Sequence, residues 1–331
     1  MPKPSFDIIP KISIHPNSIN MFSEVVWSPY KPARPKVEHL IKSDKKTHGI
    51  VSQQARRKVG KAVDYLLYLA NDNVLPDTAH GKQYKFKIAF ITLTLPSKQI
   101  HSDNQLKEDC LNQFLVELRV RYKVRNYLWR AEKQKNNNIH FHILVDKFIP
   151  WSELRDRWNR IINKLGYIER YRDEMRQFHK NGFNCRKDLL KHWDYQKQVK
   201  AYQKGKINDW QSPNSTDIHS LYKVNRVKDY VTKYCTKNET NSEVNGRLWG
   251  CNYELSDIKG GTEIADQQIK SELNELINEY KPRIYSSDYF TVIHISVNQL
   301  NNTRFQNLYN IFTRYLFEHF KDNYQLRIEG N

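Results

Sequence analysis

The stretch YLWRAEKQKNNNIHFHILVD, residues 127–146, decides the fold. It reads as two short strands around an Asn-rich turn at KNNN, residues 135–138. A tight turn makes such strands antiparallel neighbours. Side chains two apart in a strand share a face. His140 and His142 therefore project side by side, and Phe141 and Ile143 enter the opposite layer. A turn at 135–138 also sets Glu132 roughly opposite His140. One carboxylate and two imidazoles on one patch of sheet suit a divalent ion that keeps positions open for substrate oxygens. The competing reading makes Glu132 an ordinary charge partner of Lys133 or Arg130. An H-x-H pattern alone is a weak signal.

Working outward, YKFKIAFITLTLP from residue 84 is β-branched and aromatic and ends at Pro96, the pattern of a strand. Thr92 and Thr94 share one of its faces, Ile91 and Leu93 the other. Between this strand and the hairpin, LKEDCLNQFLVELRVRY is an amphipathic helix on Leu111, Phe114, Leu115 and Leu118. After the hairpin, WSELRDRWNRIINKLG is a helix with Leu154, Trp158, Ile161, Ile162 and Leu165 inward and Gly166 at its stop. TDIHSLYKV, 216–224, is a further strand on which His219 and Asp217 share a face and border the site. NRVKDYVTKYCTK follows as a helix. The order β-α-β-β-α-insert-β-α implies an α+β fold: a central antiparallel sheet with flanking helices and helical additions.

The ends are assigned by composition. Residues 1–45, rich in Pro and Lys, read as an extended basic arm. Residues 46–255 form the main domain. It starts with a helix on Val51, Ala55, Val59, Ala62, Leu66 and Leu69, and carries a basic, aromatic insert at 168–212. Residues 256–331 are an α/β extension of unplaced role, with a helix near 263–280, a strand at YFTVIHISV and a helix near 303–320.

Lys and Arg outnumber Asp and Glu by 54 to 36, a formal charge of +18. That excess points to a polyanionic partner, because each phosphate neutralised releases a counterion. Twenty Tyr and seven Trp add rings on which unpaired bases can stack, so the partner expected is nucleic acid. Cys110, Cys185, Cys235 and Cys251 form no C-x-x-C pair, which fits reduced thiols in a cytoplasm. No apolar run suggests a membrane span, and no G-x-x-x-x-G-K-[ST] pattern suggests a nucleotide-triphosphate site.

In the helix after 224, Val224, Val227, Val231 and Cys235 make the buried stripe. Tyr230, Lys233, Tyr234 and Lys237 cluster on another face, so each of two phenols one turn apart has a lysine three residues on. An ammonium favours the phenolate and stabilises charge developing on a phosphoryl group. Beside a metal that polarises a phosphate, a tyrosine can attack phosphorus and keep the strand covalently bound. Alternatively, Tyr234 packs its ring into the apolar stripe.

Taken together, FITLTLP (90–96), HFH (140–142) and YVTKYCTK (230–237) resemble, in order, the three motifs of the HUH endonucleases. The form is the two-tyrosine one of phage gene A-type rolling-circle initiators. PNSTDIHSLYKV and GRLWG also look like initiators of small single-stranded DNA phages and related plasmids, and the resemblance covers roughly 50–250. It implies an HUH, RRM-like core and site-specific nicking and joining of single-stranded origin DNA through a 5′-phosphotyrosine. His140 and His142, with Glu132 as third ligand, would hold Mg2+ or Mn2+. Tyr230 would attack first and Tyr234 after one round. Lys233 and Lys237 would assist, and Thr92 and Thr94 would line the site. Arg130, Arg226 and Lys228 are the candidate phosphate contacts. A host helicase and DNA polymerase would be needed, in the cytoplasm of a bacterial host. A conjugative relaxase or single-strand transposase would share this chemistry. A non-catalytic single-strand-binding protein would share only the charge. A metallohydrolase of amidohydrolase type would need a parallel barrel and more ligands downstream.

Overall fold

In the computed structural model, the described residues are 5–28, 51–70, 73–77, 82–221 and 244–321. Their strands, in chain order, are β1 Ser5–His15, β2 Ser18–Ser28, β3 Asn73–Asp77, β4 Lys82–Phe86, β5 Ile88–Leu93 and β6 Tyr127–Lys133. They continue with β7 Ile139–Val145, β8 Thr216–Leu221, β9 Trp249–Cys251, β10 Gly261–Ile264, β11 Arg283–Ser286 and β12 Phe290–His294. The fold is α+β. The chain divides into two units, Met1–Thr47 with Gly60–Leu69 and Tyr253–Asn331, and His48–Val59 with Ala70–Asn252.

In the second of these units every residue of β5 except Thr92 is buried, and β5 is paired on both edges. It lies inside a five-stranded antiparallel sheet ordered β8-β5-β7-β6-β9. One sheet face carries Ile91, Leu93, Trp129, Phe141 and Ile143 into a core. Against them pack Phe114, Leu115 and Leu118 of the helix Asn112–Tyr122. Leu154, Trp158, Ile161 and Ile162 of the helix Trp151–Asn163 complete the layer. Trp158 is fully buried, with Phe114 and Phe141 edge-on to it at 5.7 and 6.1 Å. Burying each such ring is worth about 1.5–3 kcal/mol, which makes this face hard to invert. Gly166, at φ +75°, takes the left-handed turn that ends the second helix and admits the next, Tyr167–Phe178.

The insert is helical in part, as Tyr167–Phe178 and Tyr195–Ile207. The run from residue 84 is two strands, β4 and β5, with a bend at Lys87.

The other unit corrects the extended arm expected at the N-terminus. Over its described residues, 5–28, that segment is a hairpin paired along its whole length from Ser5↔Ser28 to His15↔Ser18. It forms the middle of a second antiparallel sheet, β10-β1-β2-β12-β11. Ile12, Ile14, Ile19 and Ile293 are its buried isoleucines. Pro10 is tolerated inside β1 because its carbonyl accepts from Ala265 just where the β10 ladder ends at Lys11↔Ile264. Its missing N–H therefore falls at the end of that ladder and not within it. Tyr65 stacks on Phe312 and Phe320, with ring centroids 6.4 and 5.6 Å away. No helix among the described residues is long and apolar enough to cross a membrane.

Candidate metal centre

The sheet face opposite the core carries the site. Phe141 and Ile143, buried to 1% and 0% exposure, hold the β7 register, so His140 and His142 must point the other way. Their rings lie 4.5 Å apart, tilted by 64°. The β6–β7 turn closes through Gln134 N–H to Asn138 O at 2.8 Å and Asn137 N–H to Gln134 O at 2.9 Å. Asn137 takes φ +66°, a left-handed conformation that asparagine tolerates better than most residues. Asn138 ties the turn down by donating to the Ser97 carbonyl and accepting from Gln99 N–H, both at 2.8 Å. The resulting register pairs Glu132 with His140 and Arg130 with His142.

Glu132 Oε2 lies 3.5 Å from His140 Nε2 and 3.6 Å from His142 Nε2. One donor atom from each residue falls within 4.8 Å of the others, so the three form a possible metal-binding triad. Neighbouring ligands of an octahedral ion with bonds of about 2.1 Å stand about 3 Å apart, so an adjustment of about half an ångström would bring Glu132 into range. Two imidazoles and one carboxylate fit a divalent metal.

The surroundings favour ligation. Burial pushes the Glu132 carboxyl upward. Hydrogen bonds from His140 and His142, and the charges of His142 and Arg130, outweigh this and hold it well below the usual carboxylate range. Glu132 is therefore a carboxylate, the form a cation needs. Arg130, only 2% exposed, reaches Glu132 Oε1 at 3.4 Å. It faces the ligand's carboxylate from within the sheet. Thr92 Oγ1 lies 3.1 Å from His142 Nδ1, and the Phe90 ring lies against the same imidazole with centroids 5.0 Å apart. Phe90 escaped the sequence reading, although its parity with Thr92 marked it for this face.

Other expected residues fall further out. Thr94 donates its hydroxyl to the Ser215 carbonyl at 3.1 Å, which fastens the start of β8. Asp217 lies opposite Thr92 in the register, and pairs with His219 at 2.8 Å on an exposed edge. Tyr230, Lys233, Tyr234, Lys237, Arg226 and Lys228 lie outside the described residues.

Residues 88–239 match the family model Replication-associated protein ORF2/G2P. The matched span begins at β5, includes the triad and runs past Tyr230 and Tyr234. The matched span is a little under half of the chain, and over it the chain is similar to replication-associated proteins. Neither a curated protein nor a solved structure matches it.

Proposed function

We propose that the protein is an HUH-type rolling-circle replication initiator in two-tyrosine form, which nicks and rejoins single-stranded origin DNA. One observation carries the reading: Glu132, His140 and His142 converge inside the span that matches a replication-protein family. Mg2+ or Mn2+ held there would polarise an oxygen of the scissile phosphate.

In this reading the Oη of Tyr230 attacks the scissile phosphorus and gives up its proton to solvent. A P–Oη bond forms, the bond to the 3′ oxygen breaks, and that oxygen leaves as a protonated 3′-hydroxyl that primes synthesis. Lys233 favours the phenolate and steadies the phosphoryl charge. The 5′-phosphotyrosine conserves the bond energy that water attack would discard. After one round Tyr234, aided by Lys237, cleaves the regenerated origin, and the released 3′-hydroxyl attacks the first phosphotyrosine to close the circle. Thr92 orients His142 and Arg130 holds Glu132. Thr94, Asp217 and His219 border the patch, and Arg226 and Lys228 contact the backbone. A host helicase and polymerase complete the replication, in the cytoplasm of a bacterial host.

The test is to incubate the protein with single-stranded DNA carrying its origin and Mn2+, then to look for an adduct that survives SDS. The adduct is expected with the native protein and absent with EDTA, with His142→Ala and with Tyr230→Phe. An adduct that persists in all three would overturn the assignment.

A further inference from the structure

The insert has six acidic residues between 167 and 212, and four of them are tied to particular basic partners. Asp173 and Asp209 pair with Arg176, Asp188 with Arg186 and Asp194 with Lys197. The helix Tyr195–Ile207, YQKQVKAYQKGKI, contains no acidic residue of its own. Its spacing puts Gln196, Lys197, Lys200, Ala201, Gln203 and Lys204 on one face, and all six are exposed. A helix that only needed solubility would alternate glutamate with lysine and gain a few tenths of a kcal/mol per pair. On this one the N-cap carboxylate of Asp194 meets Lys197, and Lys200 and Lys204 are the further exposed cations of the face.

The opposite face is fastened. Gln198 accepts from Arg186 N–H at 2.8 Å and donates to the carbonyls of Arg186 and Trp193 at 3.1 and 2.9 Å. Asp209 and Trp210 both adopt left-handed φ, +52° and +51°, and fold the indole back onto Gly205. A Cβ there would meet Trp210 Nε1 at 2.2 Å. The imidazole of His179 is stacked on Trp210 at 5.8 Å and on Phe183 at 6.1 Å, with Tyr202 at 4.7 Å. These rings of the insert are therefore occupied by one another. Tyr195, the exposed ring of the helix, sits edge-on to Phe183, away from the lysine face.

We propose that the exposed face of Tyr195–Ile207 binds the phosphate backbone of double-stranded DNA. The proposal rests on the DNA reading above and adds a second contact, made to duplex and not to the strand being cut. Sequence-tolerant binding of single strands uses aromatic platforms, and this face has none. It offers ammonium groups and amides, which suit phosphate oxygens, and Ala201 at its centre lets the helix approach closely. Such a contact positions the protein without reading bases.

Salt-dependent binding of a labelled random-sequence duplex tests this. Lys200→Gln with Lys204→Gln removes two charges while keeping helix propensity. The slope of log K against log salt should shrink by about 1.8 for duplex, at about 0.9 for each phosphate that is no longer neutralised. Lys200→Arg with Lys204→Arg should keep it. An unchanged duplex slope overturns the proposal, and so does a loss confined to a single-stranded probe of the same sequence. SDS-stable adduct formation on single-stranded origin DNA is measured alongside and should be equal in native and Gln proteins. Absence of the native adduct overturns the nicking reading, whereas an intact adduct with an unchanged duplex slope overturns only the duplex contact.

Discussion

Replacing Thr92 with valine removes one hydroxyl and keeps a β-branched side chain of similar shape. The structure says what that hydroxyl does. Its oxygen lies 3.1 Å from His142 Nδ1, while Nε2 of the same ring is 3.6 Å from Glu132 Oε2. For Nε2 to offer its lone pair to a metal, the ring hydrogen must sit on Nδ1, and Thr92 Oγ1 is its acceptor. Loss of such an outer hydrogen bond lowers metal affinity about 10- to 100-fold, or about 1.4–2.7 kcal/mol. The Phe90 ring against His142 still restrains the imidazole, so the lower end is expected. Mn2+ titration calorimetry of Thr92→Val and Thr92→Ser measures this, with circular dichroism to follow folding. Valine should weaken Mn2+ binding about tenfold and serine should leave it near native. Native affinity in Thr92→Val, or an equal loss in Thr92→Ser, would refute the argument.

Two further outcomes follow from burial. Phe141→Ala should cost about 3–5 kcal/mol in urea unfolding, and Phe141→Leu under about 1.5, because the ring fills the core against Trp158. Equal costs would mean that the core does not hold the histidine pair. In the unit with the N-terminal hairpin, burial and then the charge of Lys61 lower His15 from 6.5 to about 4. The unfolded chain protonates this group first, so its stabilisation is complete above pH 6.5 and lost as pH falls from 6.5 to 4. The loss is about 3 kcal/mol, at about 1.4 kcal/mol per pH unit. His15→Gln should flatten the stability–pH curve over that range, and an unchanged curve would contradict the assignment.

The hairpin at 127–146 was legible because its information is local: a two-residue period, a turn and an apolar residue between two histidines. The position of Glu132 followed from the turn alone, and the register Glu132↔His140 agrees. The N-terminal hairpin was not legible. Pro10 and Pro16 look like breaks, and the flanking strands β10 and β12 lie more than two hundred residues away in the chain. Parity also has limits. It puts Thr92, Thr94 and Arg130 on the site's face without saying what each touches. Thr92 meets His142, Thr94 reaches the Ser215 carbonyl, and Arg130 is drawn inward by Glu132.

The central claim is a covalent phosphotyrosine made at a metal-bearing patch. Its most direct test is to form the Mn2+-dependent adduct on single-stranded origin DNA, digest it with protease and identify the DNA-linked peptide by mass spectrometry. The account predicts a 5′-phosphate esterified to Tyr230 and no DNA-linked peptide from Tyr230→Phe. DNA attached to another residue, or cleavage that leaves a free 5′-phosphate and no protein attached, would contradict it.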